Sequence, residues 1–561
     1  MIEHFIFISF LIIFIFSTIG YGFLFSRLAF KDFTVLNYGY QGIIGFFILS
    51  LISIITSYFI AHNFIHNSIV HIIGVTIFFF NFINKRNEKL KELALLSLII
   101  SALLIGLYIF KNHDDFPYYH LTYALNLSEN KFMIGTGAFG HGFRTPSSIF
   151  YYHSLLYLPY IKYYLFHSGP FLILIFFNYI LITKIISKYK KNEFDIIYYL
   201  SILNFIFVDI VFYRIAEHGV DRSAQIILIL SFIIFLELLL FKKKDDINLK
   251  INFILIMVFL ASSMKALFYI YLILVPIILF KTNHFKDYFQ KKNFMIITIL
   301  SLSLVSNLSN NFFSTGCFLY PEKKTCIESF DWSIPKSTVS TMKTHYEWWA
   351  KAGGGPGYKS DMPKELYVKN FNWTSNWLDR HFFNKISDTL FGILFIGFLC
   401  FALFYTKKKK KIENRKTFLA YLILLVFFVE WFLNHPSMRY GGFVLFALPI
   451  FIFFSEKIEK FDVTKRKVLI ATTLLISLTL FFYNIRNYSR IVKEINIYNY
   501  KIMKSPYFKV INVELEKTVL DQDLTIYTPV RKMCWASSTP CSYNNNLSVK
   551  ELHGIKIIIN N

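Results

Sequence analysis

Apolar runs of roughly 16 to 22 residues recur along almost the whole chain, the length an α-helix needs to cross a hydrocarbon core about 30 Å thick. The first is FIFISFLIIFIFSTIGYGFLF, and a later one is LSLIISALLIGLYIF. With 55% hydrophobic residues over 561 positions and a mean hydropathy of +0.47, the chain reads as a polytopic, all-α membrane protein. The opening run has no basic segment before it and no small-residue cleavage site after it, so it reads as a retained span.

A formal net charge of +24 raises nucleic acid as a partner. The basic residues, however, cluster in short loops between apolar runs: NKRNEKLK, KIISKYKKNE, FKKKDD, KTNHFKDYFQKKN, TKKKKKIENRK and EKIEKFDVTKRK. Such loops stay on the cytoplasmic side, so the charge reports topology and no nucleic-acid partner is expected.

Parity between those loops tests each span. It gives about 14, near 4–26, 41–60, 67–83, 93–110, 170–187, 195–213, 223–241, 250–264, 266–281, 294–310, 387–405, 417–433, 441–455 and 467–484, with both termini outside. Counting SSIFYYHSLLYLPYIKYYLF as a span would put KIISKYKKNE outside. It is instead expected to lie in the interface as a Tyr-rich helix broken by Pro159. Residues 250–281 must form a hairpin of two short spans with Lys265 at its outer tip. The outer segments are then 111–169, 214–222, 311–386, 434–440 and 485–561. The last, after a transmembrane domain over 1–484, reads as a small α/β cap from a polar helical stretch and the β-like runs LTIYTP and IKIIIN.

The unusual chemistry collects on that outer side. Cys317 with Cys326, and Cys534 with Cys541, are short-spaced pairs expected to form disulfides in an oxidising compartment. Neither has zinc-type spacing, which leaves metal binding as the weaker alternative. Cys400 lies within a span and reads as packing.

In HDDFPYYH, His113 to His120, the carboxylates Asp114 and Asp115 end the fourth span and Pro117 starts a helix. Asp115 is expected to cap that helix or hold a metal, leaving Asp114 to face a cavity as a proton acceptor. GTGAFGHGFRTPSSIF reads either as a flexible loop or as one that places Arg144 on a phosphate. YRIAEHGVDR reads as an outer turn with Glu217, His218, Asp221 and Arg222, either a plain turn in which Asp221 caps the next helix or a second acidic ligand set facing Asp114. Lys265, and NHPSMRYGG with His435, Arg439 and Tyr440, add cations at the membrane boundary. These either snorkel to headgroups or neutralise a phosphate. The Trp-rich outer segments, THYEWWAKAGGGPGYKS and NFNWTSNWLDRHFF, suit either sugar stacking or an interfacial belt.

Over about 95–450 this arrangement resembles the GT-C superfamily of membrane glycosyltransferases, which includes protein mannosyltransferases and aminoarabinose transferases. The resemblance rests on HDDFPYY opening the first large outer loop, RTPSSIFYYHSLLYLP as interfacial helices, SSMKALFYIYLILVP as a short pair with an outer Lys, and AEHGVDRSAQ as the facing loop. It also looks like a narrower bacterial group sharing GCFLYP, HPSMRYGG and a final Cys-Trp…Pro-Cys element. The superfamily implies a GT-C-like fold in a bacterial cytoplasmic membrane and a sugar donor on a polyprenyl phosphate. It further implies inversion in one displacement on the outer face, with Asp114 or Asp115 as catalytic carboxylate. The residues assigned to the substrate are His113, His120, Arg144, Glu217, His218, Asp221, Arg222, Lys265, His435, Arg439 and Tyr440. A divalent metal, Mg or Mn, would fall to Asp115, Glu217 and Asp221. No Trp-Trp-Asp acceptor motif is present, so a glycan, lipid or protein acceptor stays open. A polysaccharide polymerase and a flippase or transporter of lipid-linked saccharides are the rival expectations.

Overall fold

A computed structural model describes residues 2–30, 36–84, 86–110, 113–241, 247–290, 293–353, 362–410, 417–522, 524–531 and 533–561; the side chain of the expected site residue His218 lies outside the described set. Four helices open the chain: α1 (Ile2–Ala29), α2 (Tyr38–Ser57), α3 (Phe64–Asn84) and α4 (Arg86–Leu103). The loop after α4, the expected first outer loop, carries α5 (Leu121–Glu129) and α6 (Ser148–Leu155). Then come α7 (Ser168–Lys190), α8 (Ile196–Val211), α9 (Ile215–Leu240) and α10 (Ile247–Met264). A 3-10 stretch, Ala266–Ile273, runs into α11 (Leu274–Lys281), followed by α12 (Phe285–Tyr288) and α13 (Phe294–Thr315). The second large loop holds α14 (Lys336–Lys351), α15 (Lys364–Tyr367) and α16 (Thr374–Trp377). The bundle closes with α17 (Ser387–Phe404), α18 (Phe418–Asn434), α19 (Gly442–Glu459) and α20 (Lys465–Tyr498).

Among the described residues, ten helical segments are long and apolar enough to cross a membrane, so the chain is a helical multi-pass membrane protein. The expected spans 195–213, 266–281 and 417–433 fall on the shorter apolar helices Ile196–Val211, Ala266–Lys281 and Phe418–Asn434. The expected span 441–455 falls on α19, whose end carries Glu456, Lys457 and Glu459. Local chemistry starts several of these helices: Asn37, Asp195 and Thr464 each accept a backbone N–H of the first turn of α2, α8 and α20.

The centre of the bundle is α9 and α10, 83% buried, while α4, α13 and α17 are only 28% buried. The outer helices present Phe79, Phe391, Phe395, Leu425 and Phe481 on their exposed sides, as a lipid-facing surface requires. Where α1 meets α2, a Cβ on Gly22 would collide with the carbonyl of Gln41, so glycine permits the close crossing. The lysine-rich loops gather at one end: Lys410 N donates to Lys460 O at 3.0 Å, Lys410 Nζ to Phe194 O at 3.0 Å and Lys467 Nζ to Tyr405 O at 2.6 Å.

Three expectations are corrected here. The Tyr-rich segment is only partly open at a surface: Tyr160 is 81% exposed, but the helical start of the segment is enclosed. Its helix α6 ends at Leu155, before Pro159, and Tyr151 and Tyr152 are fully buried. Their hydroxyls bond inside the bundle, Tyr151 to Asn310 Oδ1 at 2.7 Å and Tyr152 to Thr18 Oγ1 at 2.8 Å, so the phenols find protein partners in place of headgroups. The boundary at 484/485 falls inside α20, which runs unbroken to Tyr498. At 1.5 Å per residue that helix is about 50 Å long, more than a bilayer core needs. Finally, YRIAEHGVDR is not a turn throughout: helix begins at Ile215 and kinks at Gly219, whose φ of 27° and ψ of −99° suit glycine alone.

The C-terminal cap is two antiparallel hairpins, β1 (Leu515–Asp521) with β2 (Leu524–Pro529) and β3 (Leu547–Leu552) with β4 (Ile555–Asn560). The Cys317–Cys326 and Cys534–Cys541 disulfides are both formed, and Cys400 is buried and free. The cap clamps the first outer loop. Trp535 N donates to Pro117 O at 3.0 Å, Tyr543 N to Phe139 O at 2.7 Å and Ile558 N to Ile134 O at 2.8 Å.

Candidate functional site

A cavity of about 680 Å³ opens at the end of the bundle opposite the lysine-rich loops, walled by the two outer loops and the adjoining ends of α9, α10, α13 and α19. His113, Asp115, His120, Glu217, Asp221, Arg222, Lys265, His435, Arg439 and Tyr440, scattered over more than 300 positions, all line it.

The two adjacent carboxylates part company. Phe116–His120 forms a single π-helical turn, and it directs Asp115 into the cavity while Asp114 is exposed and absent from the lining. Asp115 makes no capping hydrogen bond. Its carboxylate instead takes Nη2 of Arg439 and stands 3.4 Å from His113 Nδ1. Arg439 Nε turns to Asp221, which also accepts Lys265 Nζ, so one chain of ion pairs joins the first outer loop, α9, the α10 tip and the turn before α19. Lys265 Nζ sits 4.1 Å from the centre of the Tyr440 ring.

Burial alone would raise the pKa of Asp115, but Arg439 and the flanking His120 and His113 overcome it and hold the carboxyl below its usual range. Arg439 is held above its ordinary value, chiefly by Asp221 and then Asp115. Burial pushes His120 down to about 4, against the pull of Asp115, so its imidazole is neutral at pH 7. His435 is likewise lowered to about 4 by burial and by Lys265.

The kink at Gly219 turns Glu217 away from Asp221. Glu217 pairs with Arg214 and with Arg490 Nη1 at 2.6 Å, and Arg490 Nη2 donates to Tyr108 O at 2.5 Å, so this carboxylate ties α20 to the loop after α4. Arg144 does not line the cavity; its Nε donates to Gly137 O at 3.1 Å within its own loop. Among the described residues, no three His, Cys, Asp or Glu side chains cluster to hold a metal ion. Between Asp115 and Asp221, where the expected Mg or Mn would sit, stands the guanidinium of Arg439. The donor set does not fit a divalent metal.

Asp115 and Asp221 are offset by Arg439 and Lys265, and Glu217 by Arg214 and Arg490. Among the described residues, Arg222 and Lys385 line the same cavity with no carboxylate at ion-pair distance. Among the described residues, Arg222 donates to Arg214 O at 3.5 Å and lies over the face of Phe212, while Glu217 and Asp221 act on it at longer range.

Sequence inspection missed the groups that hold Arg439 in place. The indoles of Trp377 and Trp431 donate to Pro436 O at 2.6 Å and Ser437 O at 3.0 Å, and Gln225 Nε2 donates to Arg439 O at 3.1 Å. NFNWTSNW therefore supplies support beneath the HPSMRYGG turn, while Trp349 of the other Trp-rich segment lines the cavity. The only available signal was the abundance of Trp beside a polar outer turn.

A family model described as a domain of unknown function, DUF8201, matches residues 4–446, a stretch that includes every cavity-lining residue. No curated protein and no solved structure matches the chain.

Proposed function

The chain belongs to the DUF8201 family, and from that premise we propose that it is a membrane glycosyltransferase. It moves a sugar from a polyprenyl-phosphate donor to an envelope acceptor on the outer side of a bacterial cytoplasmic membrane. The observation that carries this reading is one cavity lined both by an ionised carboxylate, Asp115, and by Arg222 and Lys385, two cations that among the described residues have no carboxylate at ion-pair distance.

The acceptor hydroxyl oxygen bonds to the anomeric carbon as the bond from that carbon to the phosphate oxygen breaks. The proton goes to Asp115. A carboxylate held below its usual pKa is a weak base toward a free hydroxyl, but the proton grows acidic as the new C–O bond forms. The departing phosphate gains one negative charge over the donor diester. Arg222 and Lys385, with Arg439, favour that product-like charge over the ground state. Asp115 takes the role in preference to Asp114, which is exposed outside the cavity.

Native mass spectrometry of the detergent-purified protein with undecaprenyl phosphate tests the phosphate site. The wild type should retain the lipid and the Arg222→Gln/Lys385→Gln double variant should lose it; equal retention by both, or none by the wild type, contradicts the reading.

A flippase or transporter is favoured by one observation. Asp209, within α8, is fully buried and accepts Asn178 Nδ2 at 2.9 Å, and an ionisable group at such a depth is often functional.

A further inference from the structure

Part of the cavity wall is polar but carries no charge. At the tip of α10 and in the 3-10 stretch beyond it, Ser262 and Tyr269 have hydroxyls with no hydrogen-bond partner among the described residues, and Ser262 is only 3% exposed. On α13, which packs against α10, Asn307 and Asn311 line the same cavity. Asn307 Nδ2 donates to Ser303 O at 2.7 Å and Asn311 Nδ2 to Asn307 O at 3.0 Å. Among the described residues, neither amide oxygen receives a donor.

The stretch of α13 that carries them reads SLSLVSNLSNN, in a helix otherwise apolar enough to span a membrane. Its neighbour Asn310 is satisfied by the Tyr151 hydroxyl at 2.7 Å. The two buried hydroxyls are costly unless something bonds them, and the two asparagines stand on the same cavity with amide oxygens free to accept. An acyl chain offers no donors or acceptors. Lys265, between Ser262 and Tyr269, is already paired with Asp221, and Arg222 and Lys385 are assigned to the phosphate, so a carboxylate or ammonium would be taken from water with no free counter-charge here. A hydroxyl-rich ring supplies donors to the two amide oxygens and partners for the two hydroxyls.

We propose that Ser262, Tyr269, Asn307 and Asn311 form a subsite for an uncharged, hydroxyl-rich sugar ring, one bearing neither carboxylate nor amine. This rests on the glycosyltransferase reading, because it assigns the sugar that the phosphate carries.

Three probes separate the two claims by native mass spectrometry of the purified full chain: undecaprenyl phosphate, its glucose conjugate and its glucuronic acid conjugate. The wild type should hold the glucose lipid about tenfold tighter than the bare lipid, the order expected of two or three neutral hydrogen bonds. The Asn307→Leu/Asn311→Leu double variant should lose that gain while holding the bare lipid unchanged. Tyr269→Phe, which removes one hydroxyl from the wall, should reduce the gain about threefold. Equal binding of the bare and glucose lipids by the wild type, a gain that survives both variants, or tighter binding of the glucuronic acid lipid overturns the subsite and leaves the phosphate site standing. Failure of the wild type to bind even the bare lipid overturns the phosphate site, and the sugar subsite with it.

Discussion

Arg439 and Asp115, 324 residues apart in the chain, form an ion pair at the centre of the cavity. The guanidinium also holds Asp221, so the first outer loop, the kinked start of α9 and the turn before α19 share one charged junction. Removing Arg439 leaves the partly buried Asp115 carboxylate without its cation, whereas removing Asp115 leaves Arg439 still paired with Asp221.

The proposed orientation puts the lysine-rich loops, at the end away from the cavity, in the cytoplasm. A cysteine placed at Lys343 should react with a membrane-impermeant maleimide in intact cells, and one placed at Lys409 should not. The opposite pattern would put the cavity inside.

Stability should fall on acidification. The folded pKa of His120 is depressed to about 4 from an ordinary value near 6.5, so the unfolded chain binds the proton first and stability drops as pH falls from about 6.5 to 4. Asp115, also lowered, adds stability that is present above its unfolded pKa and lost in more acid solution. The apparent Tm in detergent should decline over that window, and His120→Gln should flatten the slope between pH 6.5 and 4. A slope unchanged in the variant contradicts the assignment to His120.

The Cys534–Cys541 disulfide lies where the cap grips the first outer loop, with Trp535 and Tyr543 bonded to Pro117 and Phe139. For so short a loop, removing the cross-link costs about 2 to 3 kcal/mol by chain entropy. The Cys534→Ser/Cys541→Ser variant should show faster amide exchange at Tyr543 and over residues 116–143. Removing the Cys317–Cys326 disulfide should leave that exchange unchanged.

Asp209 distinguishes the transferase from the transporter. In the transferase reading it is a packed polar group with one satisfied oxygen, and its other oxygen has no partner among the described residues. Asp209→Asn should then keep transfer activity within about twofold and leave Tm equal or higher, since it removes a buried charge. Loss of activity with retained Tm would favour a transport role.

Hydropathy and loop charge made most of this fold legible, because membrane spans must be long, apolar and sided. The same loops named nearly every residue of the charged junction, since Asp221, Lys265 and Arg439 stand where spans end. What the sequence could not carry was direction. Whether Asp114 or Asp115 enters the cavity depends on the π-helical turn at Phe116–His120, and no side-chain pattern marks such a turn. The separation of Glu217 from Asp221 depends on one glycine conformation. Tyr151 and Tyr152 misled because Tyr suits both an interface and a buried hydrogen bond, and only the positions of Thr18 and Asn310 decide between them. Lys385 escaped notice because its importance lies in the absence of a nearby carboxylate, a property of three dimensions.

The central claim is that Asp115, and not its neighbour, accepts the proton of the acceptor. Sugar transfer from a radiolabelled undecaprenyl-phosphate sugar, measured in membranes containing Asp115→Asn or Asp114→Asn at equal protein level, tests it most directly. Asp115→Asn should lower turnover by about 10² to 10⁴-fold, and Asp114→Asn should stay within about twofold of wild type. Near-normal turnover in Asp115→Asn, or a loss confined to Asp114→Asn, would contradict the account.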